Sequence, residues 1–271
     1  AQYILGKTKN TKIIPKLDFR NGIPEQNATF VVIPTIIKNG KRVEELIRPG
    51  ISTIELDRAA EKFIRENDAI PAQKNFPHYE KGVAPFPATL CISINDVVIH
   101  GIPSKKIILN EGDIVSVDLV VLKNGFHGDC ARTYIVGETS PEAKKLVDIT
   151  KQAFYEGIKF AKSGNRIGDI SHAIGEFVNK NGYSVVREFE GHGIGRQMHE
   201  EPEVPNYGKA GKGARLVPGM TIAVEPMVIM GKPDIYQLDD GWTIVTEDGS
   251  LSAHYENTIL ITEKEPEILT I

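Results

Sequence analysis

Four carboxylates stand where carboxylates seldom stand, inside apolar, β-branched runs that read as strands. Asp118 lies in Asp113-Ile-Val-Ser-Val-Asp118-Leu-Val-Val-Leu122, and Glu225 in Thr221-Ile-Ala-Val-Glu225-Pro-Met-Val-Ile229. Glu256 lies in His254-Tyr-Glu256-Asn-Thr-Ile-Leu-Ile261, and Asp129 opens Gly128-Asp129-Cys-Ala-Arg-Thr-Tyr-Ile-Val136. Acids are depleted in strands and are rarely buried without a partner. One such residue could face solvent from an edge strand, but four in four apolar strands point to a shared buried site. Gathered without cations, most of the four would have to take up protons. Two divalent ions would offset four negative charges.

A metal site of this kind also wants a histidine. His192, in Glu190-Gly-His192-Gly-Ile-Gly195, has the best context, because glycine on either side lets backbone and ligand come close. His199, in Met198-His-Glu-Glu-Pro202, could reach the same cleft, and His100 ends the apolar run Val98-Ile-His100 at a turn. Each also has a plain reading as a hydrogen-bonded structural histidine. His254 is expected to be a strand side chain facing away from the neighbours of Glu256. One histidine with four carboxylates is an oxygen-rich donor set, which suits Mn(II), Fe(II) or Co(II) better than the sulfur-rich sites of structural zinc. A pair of ions in such a set activates water and polarises a carbonyl, which is machinery for hydrolysis.

Helices and strands must carry these groups to one place. Ser52 and Glu55 stand at capping-box spacing before Leu56, Ala59, Ala60, Phe63 and Ile64, which predicts a helix from about 52. A second is predicted after Ser140-Pro141, ended by Ser163-Gly164, and a third from Ile167 to Asn179, stopped by Asn181-Gly182. Strands are predicted at 90–99, 113–122, 129–136, 184–190, 220–230, 243–246 and 253–262. The chain also echoes itself. Residues 50–64 can be laid over 164–178, so that Glu55 meets Asp169 and Leu56 meets Ile170. Gly112-Asp-Ile-Val-Ser-Val-Asp118 matches Gly219-Met-Thr-Ile-Ala-Val-Glu225 in the same way. Each half thus reads as a helix followed by a strand that delivers an acid, although amphipathic helices also resemble one another by chance.

Composition excludes several classes. The 271 residues are 41% hydrophobic and 25% charged, the balance of a soluble globule with a self-sufficient core. The net charge of −4 argues against a DNA-binding surface. Cys91 and Cys130, the two cysteines, cannot build a disulfide framework. No apolar run approaches the length of a membrane span, and Ala1 to Leu17 show no signal-peptide core, so a cytoplasmic protein is the expectation, and a monomer for want of any coiled-coil heptad. Residues 1–40 form a basic segment apart, with six basic residues against two acidic ones and three prolines, and a strand at Thr29 to Ile33. Such an excess could steer the chain to ribosomal RNA, though a solvated basic tail explains it as well.

With these residues in view, the chain from 41 to 264 resembles the type I, bacterial-type methionine aminopeptidases of the aminopeptidase/creatinase, or pita-bread, superfamily. The resemblance rests on Ser93-Ile-Asn-Asp-Val-Val-Ile-His100-Gly-Ile-Pro, Val117-Asp118 with Gly125-Phe-His-Gly-Asp129, and Gly191-His192-Gly-Ile-Gly-Arg-Gln-Met-His199-Glu-Glu-Pro. It rests further on Val224-Glu225-Pro-Met and on Gly241-Trp242-Thr with Leu251-Ser-Ala-His-Tyr-Glu256-Asn-Thr-Ile. It implies a mixed α+β fold for residues 41–271, with two pseudo-symmetric halves, a curved, mainly antiparallel sheet and outer helices. It implies removal of the N-terminal methionine of nascent peptides by two divalent ions (Co, Mn, Fe or Zn). Asp118, Asp129, His192, Glu225 and Glu256 look like the ligands, with Glu225 also the general base. His100 resembles the histidine at the amine end of the substrate, and His199 the one that hydrogen-bonds the peptide. Phe86, Cys91, Met198 and Trp242 look like the walls of the methionine pocket. The sequence departs from the family's pattern before Arg48-Pro49-Gly50, where a long opening helix is missing, and in the pocket loop from Asn75 to Pro87. Two rival readings are an Xaa-Pro peptidase of the same fold, which would bring a large N-terminal domain, and a binding homologue without catalysis, which would have lost ligands.

Overall fold

The same capping device opens the two helices that echo each other. In α1 (Thr53–Glu66) the Glu55 carboxylate accepts the Ser52 backbone N–H at 2.9 Å. In α3 (Ile167–Lys180) the Asp169 carboxylate accepts the Arg166 N–H at 2.8 Å. Both satisfy a donor that the helix itself leaves unpaired, and both set an acid at the positive end of the helix dipole. Between them, α2 (Pro141–Ile158) is capped by Ser140, whose Oγ accepts the Ala143 N–H at 3.1 Å. This helix ends before the expected Ser163-Gly164. The chain instead turns through 159–163 so that the Gly164 N–H can meet the Leu216 carbonyl at 3.1 Å.

The computed structural model describes residues 45–270 and, ahead of them, four short strands: β1 (Lys16–Asp18), β2 (Ile23–Glu25), β3 (Ile36–Ile37) and β4 (Lys41–Arg42). β1 pairs with β2 and β3 with β4. The strand expected at Thr29 to Ile33 lies outside the described residues, as does most of the basic segment. After α1 come β5 (Ile70–Pro71), β6 (Cys91–Ile94), β7 (Val97–Ile99), β8 (Ile114–Lys123) and β9 (Phe126–Ile135). After α3 come β10 (Ser184–Val185), β11 (Gly191–Gly193), β12 (Glu200–Val204), β13 (Thr221–Val224) and β14 (Met227–Ile229). β15 (Ile235–Gln237), β16 (Ile244–Thr246), β17 (Ser252–His254), β18 (Asn257–Leu260) and β19 (Glu267–Ile268) complete the chain.

All strand pairings among the described residues are antiparallel, and the pairings repeat between halves. β8 runs against β9 from Ile114↔Ile135 to Lys123↔Phe126, and β13 against β18 from Thr221↔Leu260 to Val224↔Asn257. The Gly50 N–H meets the Leu109 carbonyl as Gly164 meets Leu216. Thr53 meets Ile107 as Ile167 meets Ala214, each at 3.0 Å, and Gly112 meets Val136 as Gly219 meets Ile261. Gly112 and Gly219 even share a left-handed φ of 91° and 92°, a conformation that glycine tolerates. The sequence echo is therefore a structural repeat of helix, turn and strand.

Three long predicted strands are interrupted. The 90–99 run turns at Asn95-Asp96, the 220–230 run breaks at Glu225-Pro226, and the 253–262 run breaks at Tyr255-Glu256. The last two breaks are crossings between sheets. β13 and β18 lie in the five-stranded sheet β12-β11-β13-β18-β19, whereas β14 and β17 lie side by side in the three-stranded sheet β10-β14-β17. Glu225 and Glu256 thus sit together where the chain passes from one sheet to the other.

Each half has its own core beneath its helices. In the first, Leu56, Ala60 and Ile64 of α1 pack with Leu90, Ile92, Val115, Val117 and Val121. In the second, Leu146 and Phe154 of α2 and Ile170 and Ile174 of α3 pack with Ile222, Val224, Val228 and Ile259. Phe154 is fully buried at the centre of this cluster. Phe154→Ala is expected to cost about 3–5 kcal/mol, the usual loss for an aromatic removed from a close-packed core. It would be read as a lower midpoint of urea unfolding.

Candidate metal centre and substrate cleft

The β8–β9 register delivers the first two acids. Asp129 stands opposite Val120, and Asp118 stands opposite Ala131 on one side and Cys91 of β6 on the other. Residues two apart share a face of a strand, so Asp118, Asp129 and Cys91 project the same way. β11 brings His192 alongside. A Cβ on Gly193 would lie 2.2 Å from the Glu201 carbonyl oxygen, so only glycine lets β11 and β12 come this close. The histidine between these glycines places its Nε2 3.8 Å from an Asp129 carboxylate oxygen and 3.6 Å from one of Glu225. Its Nδ1, 2.9 Å from the Gly193 carbonyl oxygen, is held as the donor, which leaves Nε2 as a lone pair facing the acids.

Donor atoms of Asp129, His192 and Glu256 all lie within 4.8 Å of one another. Asp118 Oδ1, Asp129 Oδ1 and Glu256 Oε1 are shut from solvent and accept no hydrogen bond. Burial, followed by the charge of the neighbouring acids, holds the Asp129 and Glu256 carboxyls well above the ordinary range. Burial also pushes Asp118 up to about 6 and Glu225 up to about 7. Orphaned buried oxygens, surplus negative charge and a histidine lone pair aimed among them form the donor set that a divalent cation satisfies. The residues fit such an ion.

His254 is also part of this cluster, contrary to expectation. Its Nε2 lies 3.6 Å from a Glu225 carboxylate oxygen, and burial lowers the imidazole to about 4, so it is a neutral group. Its place was not marked in the sequence, because the chain breaks at Tyr255-Glu256 between β17 and β18 and strand alternation does not carry across that break.

The backbone around the acids is held from the opposite half. The Asp129 N–H donates to Thr258 Oγ1 at 3.0 Å, and the hydroxyls of Thr258 and Thr270 donate to the Asp129 carbonyl at 3.1 and 2.9 Å. The Glu256 N–H meets the Ala131 carbonyl at 2.9 Å. Arg132 donates to the Glu256 carbonyl and, at 2.6 Å, to Asn257 Oδ1, while its guanidinium lies 4.3 Å from the centre of the Tyr255 ring. Asn206 Nδ2 donates to the Glu225 carbonyl at 3.0 Å.

The acids open into a cleft of about 410 Å³. All of the expected pocket residues border it. Phe86, Cys91, Met198 and Trp242 are buried, with the Phe86 and Trp242 rings edge to face at 5.3 Å. Trp242 Nε1 donates to the Ala84 carbonyl at 2.9 Å, which satisfies the one polar atom of its ring. His100 and His199 line the same cleft. The His199 ring meets His192 edge-on at 4.5 Å, and His100, with a left-handed φ of 58°, meets Phe189 at 5.7 Å. Burial lowers His100 to about 4 and lowers His199 as well. The sequence did not single out Gln73 and Tyr79, which also line the cleft. Gln73 Nε2 lies 3.5 Å from Cys91 Sγ. Both residues stand in an irregular stretch without periodicity to mark them.

The profile described as metallopeptidase family M24 matches residues 38–263. The methionine aminopeptidase of Clostridium perfringens is 54% identical over 229 residues, which cover 84% of this chain and 89% of that protein. Among solved structures, the methionine aminopeptidase of Thermotoga maritima superposes with a TM-score of 0.80 at 44% identity, covering 84% of this chain and 89% of the other. The prolidase of Pyrococcus furiosus shares the fold at 23% identity with a TM-score of 0.65, and this chain covers 58% of it.

The raised carboxyls set the sign of a pH effect. Groups titrating near 6 and 7 are partly protonated in the metal-free protein at pH 6.5, Glu225 more than Asp118, and a cation must displace those protons. Binding of Mn(II) at pH 6.5 is expected to release protons, and affinity is expected to rise from pH 6 to 8. Calorimetry in two buffers of different ionisation heat measures both.

Proposed function

This chain belongs to metallopeptidase family M24, with methionine aminopeptidases as its relatives, and we propose that it removes the N-terminal methionine from peptides and nascent proteins. One observation carries the reading: Asp118, Asp129 and Glu256, each with a buried carboxylate oxygen that accepts no hydrogen bond, stand with Glu225 at the border of an apolar pocket built from aromatic and sulfur side chains. Such a pocket suits an unbranched thioether, which packs well on ring edges and on sulfur.

In this reading Asp118, Asp129, His192, Glu225 and Glu256 hold two divalent ions drawn from Mn, Fe, Co and Zn, the number following from four negative charges. When bound, the ions supply Lewis acidity, polarising the scissile carbonyl and acidifying the attacking water. Glu225 takes the proton of that water. A carboxylate that also holds an ion can serve as such a base, because its second oxygen remains free to take a proton. The neutral imidazole of His254 beside it adds no competing charge. His199 donates to the peptide carbonyl and so stabilises the negative charge that develops on its oxygen. His100, also neutral, receives the amine end of the substrate and the nitrogen of the bond to be broken. Phe86, Cys91, Met198 and Trp242 enclose the methionine side chain.

Residues 41–271 form the catalytic unit in this reading, and residues 1–40 a basic segment apart from it. No helix among the described residues is long and apolar enough to cross a membrane. A monomeric enzyme of the cytoplasm, working where nascent chains emerge, accords with these features. The lysine-rich segment is the part that would favour the ribosome. Deletion of 1–40 is expected to weaken co-sedimentation with ribosomes at low salt while leaving peptide cleavage intact.

With Mn(II) or Co(II) added, the protein is expected to release methionine from Met-Ala-Ser and to leave Ala-Pro-Ala uncut. Cleavage of Ala-Pro-Ala instead would mark an Xaa-Pro peptidase, and cleavage of neither a binding protein. A chelator is expected to abolish activity. Asp118→Asn is expected to lose at least about 100-fold in kcat/KM, beyond what disturbing an outer partner of a metal costs. Metal content measured on the same variant should fall with it.

A further inference from the structure

The loop from Asn75 to Pro87, where the sequence leaves the family's pattern, forms one wall of the cleft. Two backbone hydrogen bonds close its neck, from the Asn75 N–H to the Phe86 carbonyl at 2.7 Å and from the Phe86 N–H to the Phe76 carbonyl at 2.9 Å. Inside the neck, the Glu80 N–H donates to His78 Nδ1 at 2.9 Å, and the His78 ring stands edge-on to Trp242 at 4.8 Å. The tip of the loop carries Tyr79, which is 81% exposed, an unusual place for a large aromatic ring. Burial alone does not hold it there. Its ring meets the edges of Phe76 and His78, each at 6.4 Å, while its hydroxyl reaches across the cleft to His199 Nδ1 at 3.4 Å. Phe76 packs edge-on against the same imidazole at 5.3 Å. The loop therefore grips His199 from its ring and from one nitrogen.

A neutral imidazole carries its proton on one nitrogen, and the partner of the other nitrogen decides which. A phenol is a stronger donor than acceptor, so the Tyr79 O–H favours an Nδ1 that bears no proton. We propose that Tyr79 is a positioning residue for the reaction: its hydroxyl donates to Nδ1 of His199 and fixes that imidazole with its N–H on Nε2, the nitrogen left for the peptide carbonyl. The proposal rests on the role given to His199 above and deepens it. Without that bond the imidazole would divide between two tautomers, and the one bearing its proton on Nδ1 would turn a lone pair toward the developing negative oxygen. The loop is thus more than a wall of the methionine pocket. It sets the polarity of the group that must stabilise the reacting carbonyl.

Tyr79→Phe keeps the ring and removes only the hydroxyl. In zinc-loaded protein with nitrogen-15-labelled histidine, the wild type is expected to show His199 protonated on Nε2, and the variant a mixture or the other tautomer. For Met-Ala-Ser the variant's kcat is expected to fall about fivefold, near the worth of one neutral hydrogen bond, with KM changed by less than about twofold. The unfolding midpoint should not move, because the hydroxyl lies at an exposed loop tip. Tyr79→Ala, which also removes the ring, is expected to raise KM as well. An unchanged tautomer or an unchanged kcat in Tyr79→Phe overturns the proposal. Absence of methionine release by the wild-type protein would instead overturn the function on which it rests, while the nitrogen spectrum still reads the Tyr79 contact.

Discussion

Buried carboxylates brought within a few ångströms of one another repel, and water is not at hand to screen them. Asp118, Asp129, Glu225 and Glu256 accept this arrangement because the backbone beneath them cannot yield. Much of the surrounding architecture serves that end. The ten-residue ladder of β8 and β9 fixes the two aspartates, and the Thr258 and Thr270 hydroxyls tie the Asp129 backbone to the other half of the molecule. Arg132 does the same from the opposite direction, holding the Glu256 carbonyl and Asn257 while its own charge rests on the Tyr255 ring. The positive charge engages backbone carbonyls, the Asn257 amide oxygen and the Tyr255 ring rather than carboxylates. It steadies the cluster without neutralising it, so the carboxylate oxygens stay available to a cation.

The repeated halves supply the scaffold, yet the site they frame is asymmetric. Asp118 and Glu225 occupy equivalent places after Gly112 and Gly219, but β8 continues past its acid and β13 stops at its own. Pro226 has no N–H to give to a ladder, so a strand interruption directly after Glu225 follows from the covalent structure. The longer glutamate side chain then reaches from the crossing between two sheets to the place that the shorter aspartate reaches from within one. Glu256 sits at the companion crossing between β17 and β18. A pseudo-twofold frame thus presents two acids from the β8–β9 ladder and two from the crossings between sheets.

Much of this was legible in the residues. Acids in apolar strands are costly, and that cost made the cluster visible before any contact was known. The capping acids Glu55 and Asp169 and the turn glycines marked the repeat, because each answers a local backbone requirement. Other features were not legible, for physical reasons. β11 is Gly-His-Gly and β12 opens on Glu-Glu-Pro, sequences of low strand propensity that pair because glycine permits close approach rather than because side chains favour a sheet. The breaks at Glu225 and Tyr255-Glu256 hid inside continuous hydrophobic runs, since two strands buried in adjacent sheets read like one. His254 was misjudged because it ends β17 at the sheet crossing, where no periodicity relates it to Glu225, which lies 3.6 Å away.

The division of labour between sheet and loop has a physical logic. Groups that must resist mutual repulsion stand on the ladders or at their crossings, where displacement would break several hydrogen bonds at once. Groups that select a side chain stand on loops. The apolar side of the cleft is lined by Phe86, Trp242 and Met198, none of which lies in a strand, together with Cys91 at the first residue of β6. Its loop is attached through its own neck and through the Trp242 indole to Ala84, and neither attachment touches the acids. Cys91, paired across the ladder with Asp118, couples pocket shape to the acids, and Phe76 and Tyr79 couple it through His199 to His192. Changes at the exposed parts of the pocket loop leave the hydrogen bonds that hold the carboxylate backbones untouched, because those bonds run between the ladders and not through the loop.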